Sequence, residues 1–222
     1  MKLFLAPSFN ETASLLPQKV GSLVGKLVLF STNAADNHTG DKWWIKTDKD
    51  AFEKLGCKIQ EVDLRAVSPE ELSGQLEKTD ILHFCGGSVI YLASLVKDRE
   101  LLALITNAVR QDKVIYTGTS AGSMLVSEDL TMGVYDPEEE PYAKATKDYS
   151  GLGLVNFLIM PHADNRDFLE SNKRTVEHLP ENKTPLVFLN DNQVVWVEND
   201  KIEILKNPPY DSELAQAMEL TY

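Results

Sequence analysis

Six short apolar runs punctuate the first three-quarters of the chain: KLFLA (2–6), KLVLFST (26–32), KIQEVDL (58–64), DILHFC (80–85), KVIYTG (113–118) and NFLIMPH (156–162). Runs of this length, nearly continuous in apolar residues, predict strands buried on both faces. Between them the apolar spacing changes to three and four, which predicts amphipathic helices over 49–56, 68–78 and 92–111. The second of these starts on a recognisable signal. Ser68 is the N-cap, Pro69 takes the first helical position and Glu71 closes a capping box. A further helix is expected over 164–179. PLVFLND, QVVWVEND and KIEILK then follow with only short turns between them, and Asn199-Asp200 marks a hairpin.

Strands alternating with helices imply parallel crossovers. The predicted architecture is therefore α/β and three-layered: a mostly parallel sheet with helices on both faces and a late antiparallel pair or trio at one edge. No internal repeat or Pro/Ser-rich linker divides the 222 residues. The chain reads as a single domain, 1–222, with a core over 1–205 and a tail over 206–222. That tail has room for a short helix packing on the sheet edge or on a second copy in a homodimer.

Charge and composition narrow the partners. A formal net charge of −12 argues against nucleic acid and anionic membranes. No apolar run approaches the roughly 18 residues of a membrane span, and MKLFLAPSFNETASLL lacks the long apolar core of a secretory leader. Cys57 and Cys85 lie in apolar segments and are expected as buried free thiols in a reducing cytoplasm, with no metal-ligand spacing. No glycine-rich nucleotide-binding motif is present.

The chemistry concentrates at two predicted strand ends. Gly118-Thr119-Ser120-Ala121-Gly122 has the G-x-S-x-G spacing of a nucleophile elbow, in which a serine sits on a tight strand-to-helix turn. Flanking glycines remove the side chains that would clash there, and the Ala121 N–H can face a developing oxyanion. HFCGGS ends the preceding strand in Gly86-Gly87, where Gly87 offers a second donor. A serine needs a base and a group to orient that base. His162, just past an apolar strand and after Pro161, is the expected base. His38 sits in a polar loop, His178 near a helix end, and His83 inside an apolar strand as a core residue. For the third member, Asp164 and Asp191 are both placed to reach His162. Asp129 and Asp136 precede it in the chain and leave little room for an ordinary α/β-hydrolase.

These pieces together resemble the serine peptidase family of α-aspartyl dipeptidase (dipeptidase E) and cyanophycinase. The resemblance rests on HFCGGS, GTSAGSML, MPHAD and FLNDNQVVWV, supported by LVLFSTNAAD and FEKLGCKIQEVDL, and covers roughly residues 1–205. It implies a fold akin to class I glutamine amidotransferases and hydrolysis of a small peptide or amide, with no cofactor and no metal. It also implies Ser120 as nucleophile, His162 as base, and Gly87 and Ala121 as oxyanion donors. Asp191 stands where the family has Glu. Ser88 stands where dipeptidase members carry the Asn that holds the substrate's N-terminal end. For the arginine that binds an aspartyl carboxylate, Arg166 and Arg174 are the candidates. The Asp and Ser departures also fit a ligand-binding homologue that keeps the elbow without turnover. Two further stretches bear on a pocket. The acidic segment 136–151 is a candidate lid, and of the adjacent Trp43 and Trp44 one is expected to be exposed.

Overall fold

The computed structural model describes residues 1–179 and 183–208; from residue 209 onward, the expected tail helix lies outside them. Among the described residues nine strands form: β1 (Lys2–Ala6), β2 (Leu27–Ser31), β3 (Lys58–Val62), β4 (Ile81–Phe84), β5 (Ile115–Thr119), β6 (Leu158–Met160), β7 (Leu186–Phe188), β8 (Gln193–Glu198) and β9 (Lys201–Lys206). Seven of them make one sheet in the order β3-β2-β4-β5-β1-β8-β9. The pairs among β1 to β5 are parallel, while β8 runs antiparallel to both β1 and β9. In β1, β2, β4 and β5 successive residues are buried regardless of which way they point. That pattern requires cover on both faces.

The cover comes from α1 (Phe9–Thr12), α2 (Leu16–Val20), α3 (Trp43–Lys54), α4 (Pro69–Leu76), α5 (Val89–Asp98), α6 (Leu102–Arg110), α7 (Ala121–Met124), α8 (Glu140–Ala145) and α9 (Leu169–Glu177). The predicted capping box is present at α4, with Glu71 N donating to Ser68 Oγ at 3.1 Å and Ser68 N to the Glu71 carboxylate at 3.0 Å. No helix among the described residues is long and apolar enough to cross a membrane.

Two expectations from the periodicity are corrected. The run 92–111 is two helices rather than one. The break falls at Glu100, whose φ of 58° lies in the left-handed region, and the fully buried Leu101 follows it. Both helices face the same core, so the apolar spacing continues across the break. Glutamate carries no signal for a left-handed residue. The second correction concerns the strand expected before His162. It is not part of the main sheet: β6 pairs in parallel with β7 to form a separate two-stranded sheet. The late antiparallel group is therefore the β8–β9 pair, not a trio.

Replacing Ser68 by Ala removes the side-chain half of the α4 cap. Denaturant unfolding is expected to show a loss of about 1 kcal/mol at unchanged slope.

Candidate active site

The carboxyl ends of β1, β4 and β5 converge, and Ser120 emerges there between β5 and α7. Packing dictates its backbone. A Cβ on Gly118 would lie 2.5 Å from the Gly122 carbonyl, and one on Gly122 would lie 2.1 Å from the Phe84 oxygen. Both glycines are demanded by close approach. Ser120 itself holds φ 49° and ψ −111°, a strained conformation for a residue with a side chain. Local hydrogen bonds stabilise the bend. Ser120 N donates to Ala6 O at 2.9 Å, and Tyr116 Oη to Gly122 O at 2.6 Å. The Ser123 hydroxyl lies within 2.7 Å of Ala6 O and 2.8 Å of Gly118 O.

Thr119, one residue before the serine, donates its hydroxyl to Asp48 of α3 at 2.7 Å. Asp48 is fully buried beside His83, whose Nδ1 lies 2.9 Å from Thr117 Oγ1. His83 is thus the core histidine expected, ringed by Phe9, Phe30 and Phe52. Sequence reasoning missed Asp48, Tyr116 and Ser123 in this role, because each contact crosses between elements distant in the chain or turns on side-chain direction.

His162 follows β6, which packs against α7. The parallel register of β6 and β7 continues past both strands through Leu189 N to Met160 O (3.0 Å) and Ala163 N to Leu189 O (2.9 Å). That continuation sets Asp191 beside the imidazole. Asp191 Oδ1 lies 2.5 Å from His162 Nδ1, and the Asn165 amide donates to Oδ2 at 3.1 Å. Burial alone would raise the Asp191 carboxyl. The hydrogen bond and charge of His162, with the Asn165 amide, outweigh burial and hold it below the ordinary aspartate value. Asp164 instead accepts from the Asp191 backbone N–H at 3.3 Å. Of the two acids left open by the sequence, Asp191 is the one against the ring. The oxygens of Asp129 are taken by Thr131 and Thr184. His162 has φ 61° and stacks on Phe168 with centroids 4.0 Å apart.

Ser120 and Gly87 share a small cleft of about 60 Å³ with Pro161, Phe168, Met124, Met160, Asp136, Glu138 and Glu139. Pro161 and Phe168 are the chain neighbour and stacking partner of His162. Gly87, with φ 146°, passes so close to Ala34 that a Cβ would lie 2.1 Å from its carbonyl oxygen. Trp44 reaches this corner and donates Nε1–H to Gly86 O at 3.1 Å, whereas Trp43 is 58% exposed. A more open depression of about 600 Å³ around Asp129, Lys147 and Lys183 contains none of these residues.

Three sequence candidates do not line this cleft. Arg166 and Arg174 are exposed and absent from the cleft lining, and Arg174 pairs with Glu170 at 3.1 Å. Both lie on the solvent side of the segment after His162. Ser88 does not face an open substrate slot. It caps α5, accepting from Tyr91 N at 3.1 Å and donating to Glu139 at 2.5 Å. Glu139 comes from the 136–151 segment, which folds into a short 3-10 turn and a largely exposed α8. Only 5% exposed, Glu139 also accepts from Val89 N (2.6 Å) and Ile90 N (3.2 Å). Burial pushes its carboxyl up to about 7, assisted by Asp136 and opposed by those three hydrogen bonds. Cys57 and Cys85 are buried and unpaired. Burial and the nearby Asp48 hold the Cys85 thiol far above its ordinary value, which makes it a poor nucleophile.

The fold and the cleft define the class, and comparison with known proteins agrees. The model of Peptidase family S51 matches residues 6–205. The chain belongs to this family and is a peptidase. It is 27% identical over 199 residues to the uncharacterized peptidase PM1590 of Pasteurella multocida, covering 90% of this chain and 94% of that one. It is 25% identical over 200 residues to the uncharacterized peptidase Lmo0363 of Listeria monocytogenes, covering 90% and 96%. Its fold superposes with a TM-score of 0.83 on a crystal structure of a candidate peptidase E protein from Listeria monocytogenes EGD-e. That match has 24% identity and covers 93% of this chain and 98% of the other.

Glu139 makes stability depend on pH with a definite sign. Its carboxyl is raised in the fold from 4.5 to about 7, so its stabilising share is complete below 4.5 and is lost as pH rises through about 7. The gap corresponds to roughly 3 kcal/mol. Between pH 5 and 8 the wild-type Tm is expected to fall, and Glu139→Gln is expected to flatten that fall in thermal scans.

At Gly122, a single methyl meets the Phe84 carbonyl. Gly122→Ala is expected to destabilise by about 3 kcal/mol in denaturant titration, near the upper end for overpacking.

Proposed function

We propose that this peptidase hydrolyses small peptides through an acyl-enzyme on Ser120. His162 acts as base and then acid, Asp191 orients it, and the N–H groups of Gly87 and Ala121 hold the oxyanion. One observation carries this reading: a serine in a strained turn at a strand end shares its cleft with the residues flanking a histidine whose Nδ1 is bound by a carboxylate. Asp191 fixes the tautomer that leaves Nε2 as the basic nitrogen.

In the first half-reaction the Ser120 oxygen attacks the carbonyl carbon while its proton passes to His162 Nε2. The carbonyl oxygen gains negative charge and is met by the two backbone donors. Ala121 is the first residue of α7, so its N–H has no acceptor within the helix. Collapse of the intermediate breaks the C–N bond, and His162 returns the proton to the leaving amine. Water then attacks the ester, its proton passes through the same imidazole, and Ser120 is released. Loss of an oxyanion donor in comparable enzymes costs about 3–4 kcal/mol of barrier. In the Asp-for-Glu departure the shorter side chain still reaches the ring at 2.5 Å, which supports turnover rather than a silent binding role. The reading treats residues 1–222 as one catalytic domain. The buried free thiols support a cytoplasmic location.

A fluorophosphonate probe followed by peptide mapping tests the assignment. Wild type is expected to label at Ser120, and Ser120→Ala and His162→Ala are expected not to label. Asp191→Asn is expected to lower kcat by about three to four orders of magnitude with the fold intact. Well-folded wild-type protein that resists the probe would sink the nucleophile assignment.

A further inference from the structure

The lining of the Ser120 cleft carries three carboxylates, Asp136, Glu138 and Glu139, and among the described lining residues no Lys, Arg or His. The hydrogen-bond donors to these groups are neutral. Asp136 accepts from Ser171 Oγ at 2.7 Å and from Glu138 N at 2.8 Å. Glu139 accepts from Ser88 Oγ and the first amides of α5. No ion pair within the described residues reaches any of the three. Three cations of neighbouring elements are paired elsewhere: Lys144 with Glu140, Arg174 with Glu170, and Lys97 with Asp148. The carboxylates do not converge as a group able to hold a metal ion. Negative charge on Asp136 and Glu138 therefore has no paired cation among the described residues, whereas Glu139 is buried with its carboxyl raised to about 7 and its oxygens held by Ser88 and the α5 amides.

Resting on the Ser120 reading above, we infer that the cleft selects a peptide whose residue on the acyl side of the scissile bond carries a basic side chain, lysine or arginine, rather than aspartate. Met124, Met160 and Phe168 offer apolar surface to a methylene stem, and Asp136 and Glu138 offer negative charge to its end. An aspartyl side chain entering the same space meets like charge and finds no cation, because Arg166 and Arg174 face solvent. Apposed like charges strongly disfavour a wrong partner. The inversion follows from the 136–139 turn being packed on α5.

The test separates charge selection from turnover. Binding of lysyl-leucine, alanyl-leucine and aspartyl-leucine to the Ser120→Ala protein is measured by calorimetry, where no cleavage is needed. The lysyl dipeptide is expected to bind about 100-fold more tightly than the aspartyl one, with the alanyl dipeptide between them and the preference shrinking in added salt. Glu138→Lys, at an exposed position of the cleft rim, is expected to cut the lysyl-to-aspartyl ratio about tenfold or more. Aspartyl-leucine binding as well as or better than lysyl-leucine overturns the inference. So does an alanyl dipeptide equal to the lysyl one, or no measurable lysyl binding. The uncharged fluorophosphonate reports on Ser120 independently. Labelling with the wrong charge order removes the specificity and leaves the nucleophile, whereas the right charge order without labelling does the reverse.

Discussion

A four-residue helix packed directly on the backbone of the central sheet is the constraint on which this site depends. With α7 this close, neither residue 118 nor residue 122 can carry a Cβ, because each would run into backbone atoms of a neighbouring turn or strand. The chain between them has one way through, and it puts Ser120 at φ 49°. Strain of this kind costs about 1–3 kcal/mol. The bonds from Tyr116, Ser123 and the Ser120 amide offset it. Because those partners lie on β1 and β5, the serine's position is tied to the sheet and not to a loop.

A second, smaller sheet brings in the histidine and its carboxylate. β6 and β7 lie apart from the seven-stranded sheet, yet their parallel pairing controls the register of the two residues that follow them. His162 and Asp191 are 29 positions apart in the chain and 2.5 Å apart in space. The segment between the elbow and β6 is not an idle excursion. It is pinned by Glu139 to the start of α5, and it lines the cleft with acidic residues. The same pinning that closes the cleft gives it its charge.

Much of this was legible in the chain. The capping box at Ser68, the hairpin at Asn199-Asp200, the strand runs and the G-x-S-x-G bend all follow from short-range signals with local physical causes: hydrogen-bond satisfaction, left-handed backbone and alternating burial. His162 stood out as a polar residue directly after a buried strand, although that strand lies outside the main sheet. Ser88, Arg166 and Arg174 fall outside the cleft lining, since a residue's place in a motif does not say which way its side chain turns or what already occupies it. Glu139 gave no signal, being one of three consecutive glutamates in an acidic stretch. Its burial depends on where a helix 50 residues earlier happens to begin.

By itself the sequence determined the α/β alternation and the bend at Ser120, and it singled out His162 as a candidate, because those depend on neighbours within a few residues or on the two periodicities of helix and strand. Only the tertiary structure chose Asp191 over Asp164, moved β6 out of the main sheet, and made the cleft acidic. Each of those outcomes is a distance between elements far apart in the chain, and such distances are set by packing, which no local pattern records.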